Sequence, residues 1–284
     1  IGLPYLGGGA VVVLYGSGVG LRDTGSQFIN QDTPGMEGVS ELGDRFGWAL
    51  ASGRFNDDPY VDLAIGVRGE YDDAGAVAVI YGGASGLSPS AGPGNQLLQQ
   101  GVGGMSGKAE DEVLEQENED EGDNLGHALA AGRFKPGTTD DLAIGVPGEI
   151  LGPIFEGPGK TGAVHIVYSD ENGLNPNGFY DDMLWHQDMW LRVNGVERFV
   201  HGEAEGGDGF GSDLYTGNFG YDILDDLAIG IPGEDLNAGG VAILYGSVNG
   251  IHIYPYNDQF FDQNTAGILG TAEGNTPQGG DEFG

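Results

Sequence analysis

The chain of 284 residues contains no cysteine, which excludes disulfide frameworks, thiolate metal centres and cysteine nucleophiles. Cations are scarce: ten Lys and Arg stand against 44 Asp and Glu, a formal net charge of −34. Such a surface repels the phosphates of nucleic acids and anionic membranes and attracts cations, so nucleic acid is not an expected partner. No apolar run approaches the roughly 18 residues that a membrane helix needs, so membrane insertion is not expected. Spacings such as H-E-x-x-H, the G-x-S-x-G elbow, a complete P-loop and the dinucleotide fingerprint are all missing, and no enzyme activity is expected. The chain opens on Ile1 rather than Met, which reads as a processed or excerpted piece of a longer protein.

What is abundant is glycine, 57 residues, about three times the usual ~7%. It has no collagen period, and the 39% hydrophobic content argues against disorder. Many short strands joined by tight turns fit both facts.

The strands follow a repeated phrase. Phe46-Gly47 opens FGWALASGRF, Leu125-Gly126 opens LGHALAAGRF, Phe210-Gly211 opens FGSDLYTGNF, and Phe283-Gly284 ends the chain. DLAIG follows at Asp62–Gly66, Asp141–Gly145 and Asp226–Gly230. A third segment is GAVAVIYG at Gly75–Gly82, GAVHIVY at Gly162–Tyr168 and GGVAILYG at Gly239–Gly246, with an earlier copy at Gly8–Gly16. A weaker fourth is FINQD, LLQQ, LWHQD and FFDQN, beginning at Phe28, Leu97, Leu184 and Phe260. Each segment has the length, β-branched content and glycine boundaries of a strand. Four strands per unit, repeated, predict an all-β chain of four-stranded antiparallel blades, a β-propeller, because one blade cannot bury both faces alone. The units run 1–45 (the C-terminal half of a blade), 46–124, 125–209, 210–282 and 283–284 (the start of another).

These motifs resemble the FG-GAP repeat family, the modules of integrin α-subunit propellers and of many bacterial surface proteins. Phe46-Gly47 and Phe210-Gly211 match the first element and Leu125-Gly126 departs at Phe. Gly145-Val146-Pro147 and Gly230-Ile231-Pro232 match the second, and Gly66-Val67-Arg68 departs at Pro. The resemblance implies seven blades, of which this chain would supply part, and a secreted or cell-surface location. It also implies a calcium loop between the first two strands of a blade, D-x-[DN]-x-D-G-x-x-D, whose alternate oxygens converge on a cation that takes six to eight of them at about 2.4 Å.

Mapped onto that pattern, the first turn gives Arg54, Asn56, Asp58 and Asp62, the second Arg133, Lys135, Gly137 and Asp141, and the third Asn218, Gly220, Asp222 and Asp226. The first two are degenerate, with arginine where the first ligand belongs. The expectation is that Arg54 pairs with Asp62 and Arg133 with Asp141 in place of the metal. The third turn, with Asn218, Asp222, Asp225 and Asp226 and no basic intruder, is the candidate calcium site. Glu70, Glu149 and Glu234 recur after the second strand, where accepting backbone N–H groups of the following hairpin is the expected role. Glu110–Asp123 reads as a solvated acidic loop. Trp185, His186 and Trp190 lie in a long segment, 175–200, and are the candidates for contact with a protein partner or a glycan.

The function expected is a non-catalytic secreted or surface scaffold for protein–protein or cell-surface interaction. The alternatives are a lectin-like propeller, an accessory propeller of a larger secreted enzyme, and self-assembly between chains into a fibre or ring.

Overall fold

The computed structural model describes residues 7–109, 122–151, 159–180, 182–193, 196–220, 222–253, 258–271 and 280–284. Most of the expected acidic loop Glu110–Asp123 lies outside them. The chain is all-β. After a hairpin of β1 (Val11–Ser17) and β2 (Gly20–Ile29) come three four-stranded antiparallel sheets. The first contains β3 (Phe46–Gly53), β4 (Asp62–Val67), β5 (Ala76–Ile80) and β6 (Asn95–Leu98). The second contains β7 (Leu129–Gly132), β8 (Asp141–Val146), β9 (Ala163–Val167) and β12 (Met183–Trp185). Between β9 and β12 the chain makes the short ladder of β10 (Ser169–Asp170) and β11 (Gly173–Leu174). A hairpin of β13 (Trp190–Val193) and β14 (Val196–Phe199) then leads to the third sheet, β15 (Asp213–Gly217), β16 (Asp226–Ile231), β17 (Gly240–Leu244) and β18 (Gln259–Phe261).

Within every four-stranded sheet the strands stand in chain order, each paired antiparallel to the next. The third strand is central to the packing. All five residues of β5 and of β9 are buried, so these strands carry apolar side chains on both faces. Ala76, Ala78 and Ile80 of β5 share a hydrophobic cluster with Val11, Ile29 and Phe46. Val77, Val79 and Tyr81 point the other way, into a cluster with Leu125, Leu142, Ile144 and Val146 of the second sheet. Val164 and Ile166 of β9 in turn meet Phe210, Leu227, Ile229 and Ile231 of the third. The core is thus a series of apolar layers, one at each seam between consecutive sheets.

The glycines of the repeated motifs set how closely the sheets approach. Gly126 and Gly211 have φ of +86° and +91°, a conformation that suits residues without a Cβ. The carbonyl oxygens of these two residues lie so close to Gly66 and Gly145, the last residues of DLAIG, that a Cβ there would collide with them. Beside this contact each third strand feeds the first strand of the next sheet through a parallel bridge: Gly9 to Phe46, Gly75 to Leu125, Gly162 to Phe210. The first strands face one another across the seams, β3 against β7 and β7 against β15.

Candidate functional sites: the strand 1–2 turns and the seams

In each turn between first and second strands the aspartate of DLAIG is nearly inaccessible, and its carboxylate collects backbone N–H groups. Asp62 accepts from Phe55 at 2.7 Å and Gly82 at 2.8 Å. Asp141 accepts from Phe134 at 3.2 Å and Ser169 at 2.9 Å. Asp226 accepts from Phe219 and Gly220, both at 2.7 Å, and Gly246 at 3.0 Å. One carboxylate therefore ties the 1–2 turn to the end of strand three. Burial pushes all three carboxyls above the usual aspartate range, opposed by these hydrogen bonds.

The expected arginine–aspartate pairs are not what forms. Arg54 sends Nε and Nη2 to the backbone oxygen of Asp58, at 3.2 and 2.7 Å, and Arg133 sends Nη2 to the oxygen of Ile223 in the next repeat at 2.8 Å. An exposed arginine gains more from a nearby carbonyl than from an aspartate whose oxygens already hold two backbone donors. The cation that reaches such an aspartate is Lys135, with Nζ 2.5 Å from Asp141 Oδ1 and 3.3 Å from Ser169 Oγ. Its shorter reach from position 3 points into the turn, where a metal ligand would point, and its side chain is 8% exposed. Gly137 contributes no side chain. In the first turn Asn56 Nδ2 donates to Asp58 Oδ2 at 3.0 Å, and Asp58 Oδ1 accepts from Tyr60 at 2.8 Å.

The third turn is also occupied by its own bonds. Asn218 Nδ2 donates to the Asp222 carbonyl at 2.5 Å, repeating the role of Arg54, and Asp222 Oδ1 accepts from Leu224 at 2.9 Å. Asp225 does not face the turn with Asp226. Its Oδ2 accepts the N–H of Arg133 in the preceding sheet at 2.8 Å, while its own N–H donates to the Arg133 carbonyl at 2.9 Å. Asp140 makes the same two bonds to Arg54, at 2.8 and 2.7 Å. Among the described residues no group of three or more His, Asp or Glu is placed to hold a metal ion.

Two further contacts recur at every described seam. The hydroxyls of Tyr15, Tyr81 and Tyr168, at the end of a third strand, accept the N–H groups of Leu87, Leu174 and Ile251 in the following repeat at 3.0, 3.0 and 2.8 Å. The recurrent glutamates accept not hairpin N–H groups, as expected, but side-chain amides of the preceding repeat. Gln31 Nε2 donates to Glu70 Oε2 at 2.5 Å, Gln100 Nε2 to Glu149 Oε2 at 2.6 Å, and Gln187 Nε2 to Glu234 Oε2. The signal was in the sequence, since Gln follows strand four wherever Glu follows strand two. The partners lie 39, 49 and 47 residues apart, which no local pattern joins.

The three residues expected to meet a partner are not brought together. Trp185 is fully buried in β12 against the third-sheet core, because β12 is the outer strand covered by the next repeat, and this removes it as a contact residue. His186 is half-buried beside it, and burial pulls its imidazole below the usual histidine range. Trp190 alone is presented to solvent, 58% exposed, directly across the β13–β14 ladder from Phe199 at 55%. Trp48 is also half-exposed, with the Arg68 guanidinium 4.7 Å from its ring centroid and the His127 ring 5.7 Å away.

No known protein-family model matches this chain, and no curated protein matches it significantly. Among the described residues no helix is long and apolar enough to cross a membrane.

Proposed function

We propose that the three sheets are consecutive blades of an FG-GAP-type β-propeller, part of a seven-bladed ring. We further propose that the protein is a non-catalytic, secreted or surface-exposed scaffold that engages a protein partner at a cell surface. The blade reading is supported by the recurrence at successive seams of one set of contacts: the glycine approach, the tyrosine latch and the glutamine–glutamate pair. The observation that carries the binding role is the β13–β14 hairpin. It is an insertion between the second and third sheets, and it holds a cross-strand Trp190–Phe199 pair, both more than half exposed. Large aromatic side chains held on a short ladder lose little entropy on binding and supply the contact area that anchors protein interfaces.

The same pair supports a second reading, a lectin-like propeller, since an indole face also suits the C–H surface of a sugar. Both are tested by measuring binding of fluorescently labelled protein to intact cells and to a glycan array, alongside a Trp190→Ala/Phe199→Ala variant. The expected outcome is cell binding that falls at least about tenfold in the double variant, the loss of roughly 1.4 kcal/mol or more of hot-spot energy, with the array blank. An array signal lost in the variant replaces the protein partner with a glycan. Undiminished cell binding by the variant overturns the assignment to the hairpin.

A further inference from the structure

We propose that each seam between sheets carries a divalent-cation site, suited to Ca²⁺, formed by the recurrent glutamine and glutamate together with the aspartate that precedes the Phe/Leu-Gly step. The three sets are Gln31, Glu70 and Asp44; Gln100, Glu149 and Asp123; Gln187, Glu234 and Asp208.

The first observation is the burial of two carboxylates per seam. Glu70 and Asp44 are 4% and 3% exposed, Glu149 and Asp123 6% and 1%, Glu234 and Asp208 6% and 1%. The backbone holds each pair together: the residue before the glutamate, Gly69, Gly148 or Gly233, donates its N–H to the carbonyl of the aspartate at 2.9, 3.0 and 2.9 Å. Two like charges removed from water are unfavourable unless a cation or a proton joins them. In the outer two sets the second acid destabilises the charge of the first: burial, with Asp44 and Glu41 nearby, pushes Glu70 up to about 7, and burial, with Asp208, Asp235 and Glu205 nearby, does the same to Glu234. Burial raises Asp208 to about 6.

The second observation is independent and points to a ligand. In all three sets the glutamine Oε1 is buried and accepts no hydrogen bond, while Nε2 of the same amide rests on the glutamate. The glutamines are 2%, 3% and 1% exposed. A single unmet amide oxygen would be an isolated defect of packing. The same unmet oxygen beside the same two carboxylates at three seams is a repeated feature, and such a group costs about 1–3 kcal/mol each time it stays empty. Two carboxylates and an amide oxygen are the hard donors that calcium selects, and its loose geometry accommodates an amide that must turn its oxygen toward the ion. These sites are separate from the strand 1–2 turns, and they do not depend on the partner-binding role of the hairpin.

The test is titration of chelator-stripped protein with CaCl₂ at pH 7.5 in physiological NaCl, read by calorimetry and by the melting temperature. It compares the wild type, a Glu70→Gln/Glu149→Gln/Glu234→Gln variant and an Asn218→Ala/Asp222→Asn variant. Wild type is expected to bind up to three ions and to gain about 5 °C or more at millimolar calcium. The glutamate variant is expected to lose at least about four-fifths of that gain, and the turn variant to keep it. Should the triple variant fail to fold, Glu70→Gln and Glu234→Gln singly are each expected to remove about one ion. Three results overturn the proposal: a calcium gain that survives in the glutamate variant, which means diffuse binding to the acidic surface; a gain lost in the turn variant, which returns the metal to the third turn; or no gain in wild type and higher stability at pH 5.5 than at pH 8, which means that the seam glutamates carry protons instead.

Discussion

Lys135 and Arg54 occupy neighbouring positions of equivalent turns, and the difference between them shows how little a charge means without its surroundings. Arg54 is exposed and spans a turn by bonding a carbonyl, so Arg54→Ala is expected to cost no more than about 1 kcal/mol. Lys135 is the ammonium on a carboxylate with no exposure of its own. Lys135→Met leaves Asp141 buried and unpaired, and the expected loss is about 3–5 kcal/mol in urea denaturation at neutral pH. The pH dependence has a definite sign. Burial already raises the folded-state pKa of Asp141, and Lys135 is the main influence lowering it. Without the lysine that pKa rises further above its unfolded value, so the folded state takes up a proton as the pH falls. The penalty of Lys135→Met should therefore be smaller at pH 5 than at pH 8. An equal penalty at both would mean that Asp141 finds another partner.

At the scale of elements the tyrosine latch offers the cleanest test of how sheets are held together. Tyr81 is fully buried at the end of β5, accepts the N–H of Leu174 in β11, and donates to Gln96 Oε1 of its own sheet. Tyr81→Phe keeps the ring and removes only the hydroxyl, leaving a buried N–H and an amide oxygen unmet. The expected loss is about 1–3 kcal/mol, with the Leu174 amide exchanging faster in hydrogen exchange while amides of β3 and β4 keep their protection. An unchanged stability would mean that water replaces the hydroxyl. The elements themselves were legible because their signal is local: alternating small and bulky residues in GAVAVIYG, with glycine at both ends, is β5, and its relatives are β9 and β17. The fourth strands were legible in position but not in extent, since LWHQD becomes a strand of three residues, Met183–Trp185. The β13–β14 hairpin was hidden because the segment 175–200 has no counterpart in the other repeats to mark its strands. The seam contacts were hidden for a different reason. Tyr81 with Leu174, Gln31 with Glu70, and Asp140 with Arg54 are pairs between repeats, and a repeated sequence displays both members without showing that the bond crosses to the next copy.

For the whole molecule the governing quantity is the net charge of −34. The described cations include Lys135 on Asp141 and Arg45 on Asp73 at 3.3 Å, which leaves most carboxylates facing other carboxylates through solvent. Such repulsion opposes the compact state and is long-ranged at low salt, where the screening length is about 30 Å at 0.01 M against about 10 Å at 0.1 M. Raising NaCl from about 10 mM to about 500 mM in the presence of a chelator is therefore expected to raise the melting temperature by several degrees. Lys135→Met should show the same rise from a lower starting point, because the buried Lys135–Asp141 pair is screened far less than the surface. The two classes of charge thus separate in one experiment: the slope against salt reports the surface, and the constant offset between wild type and variant reports the buried turn. A wild-type melting temperature that stays flat across the series would mean that the surface carboxylates are already neutralised by protons or tightly held cations at low salt. An offset that shrinks with salt would mean that Asp141 is reached by solvent ions after all, and the turn would then be open enough to admit a metal.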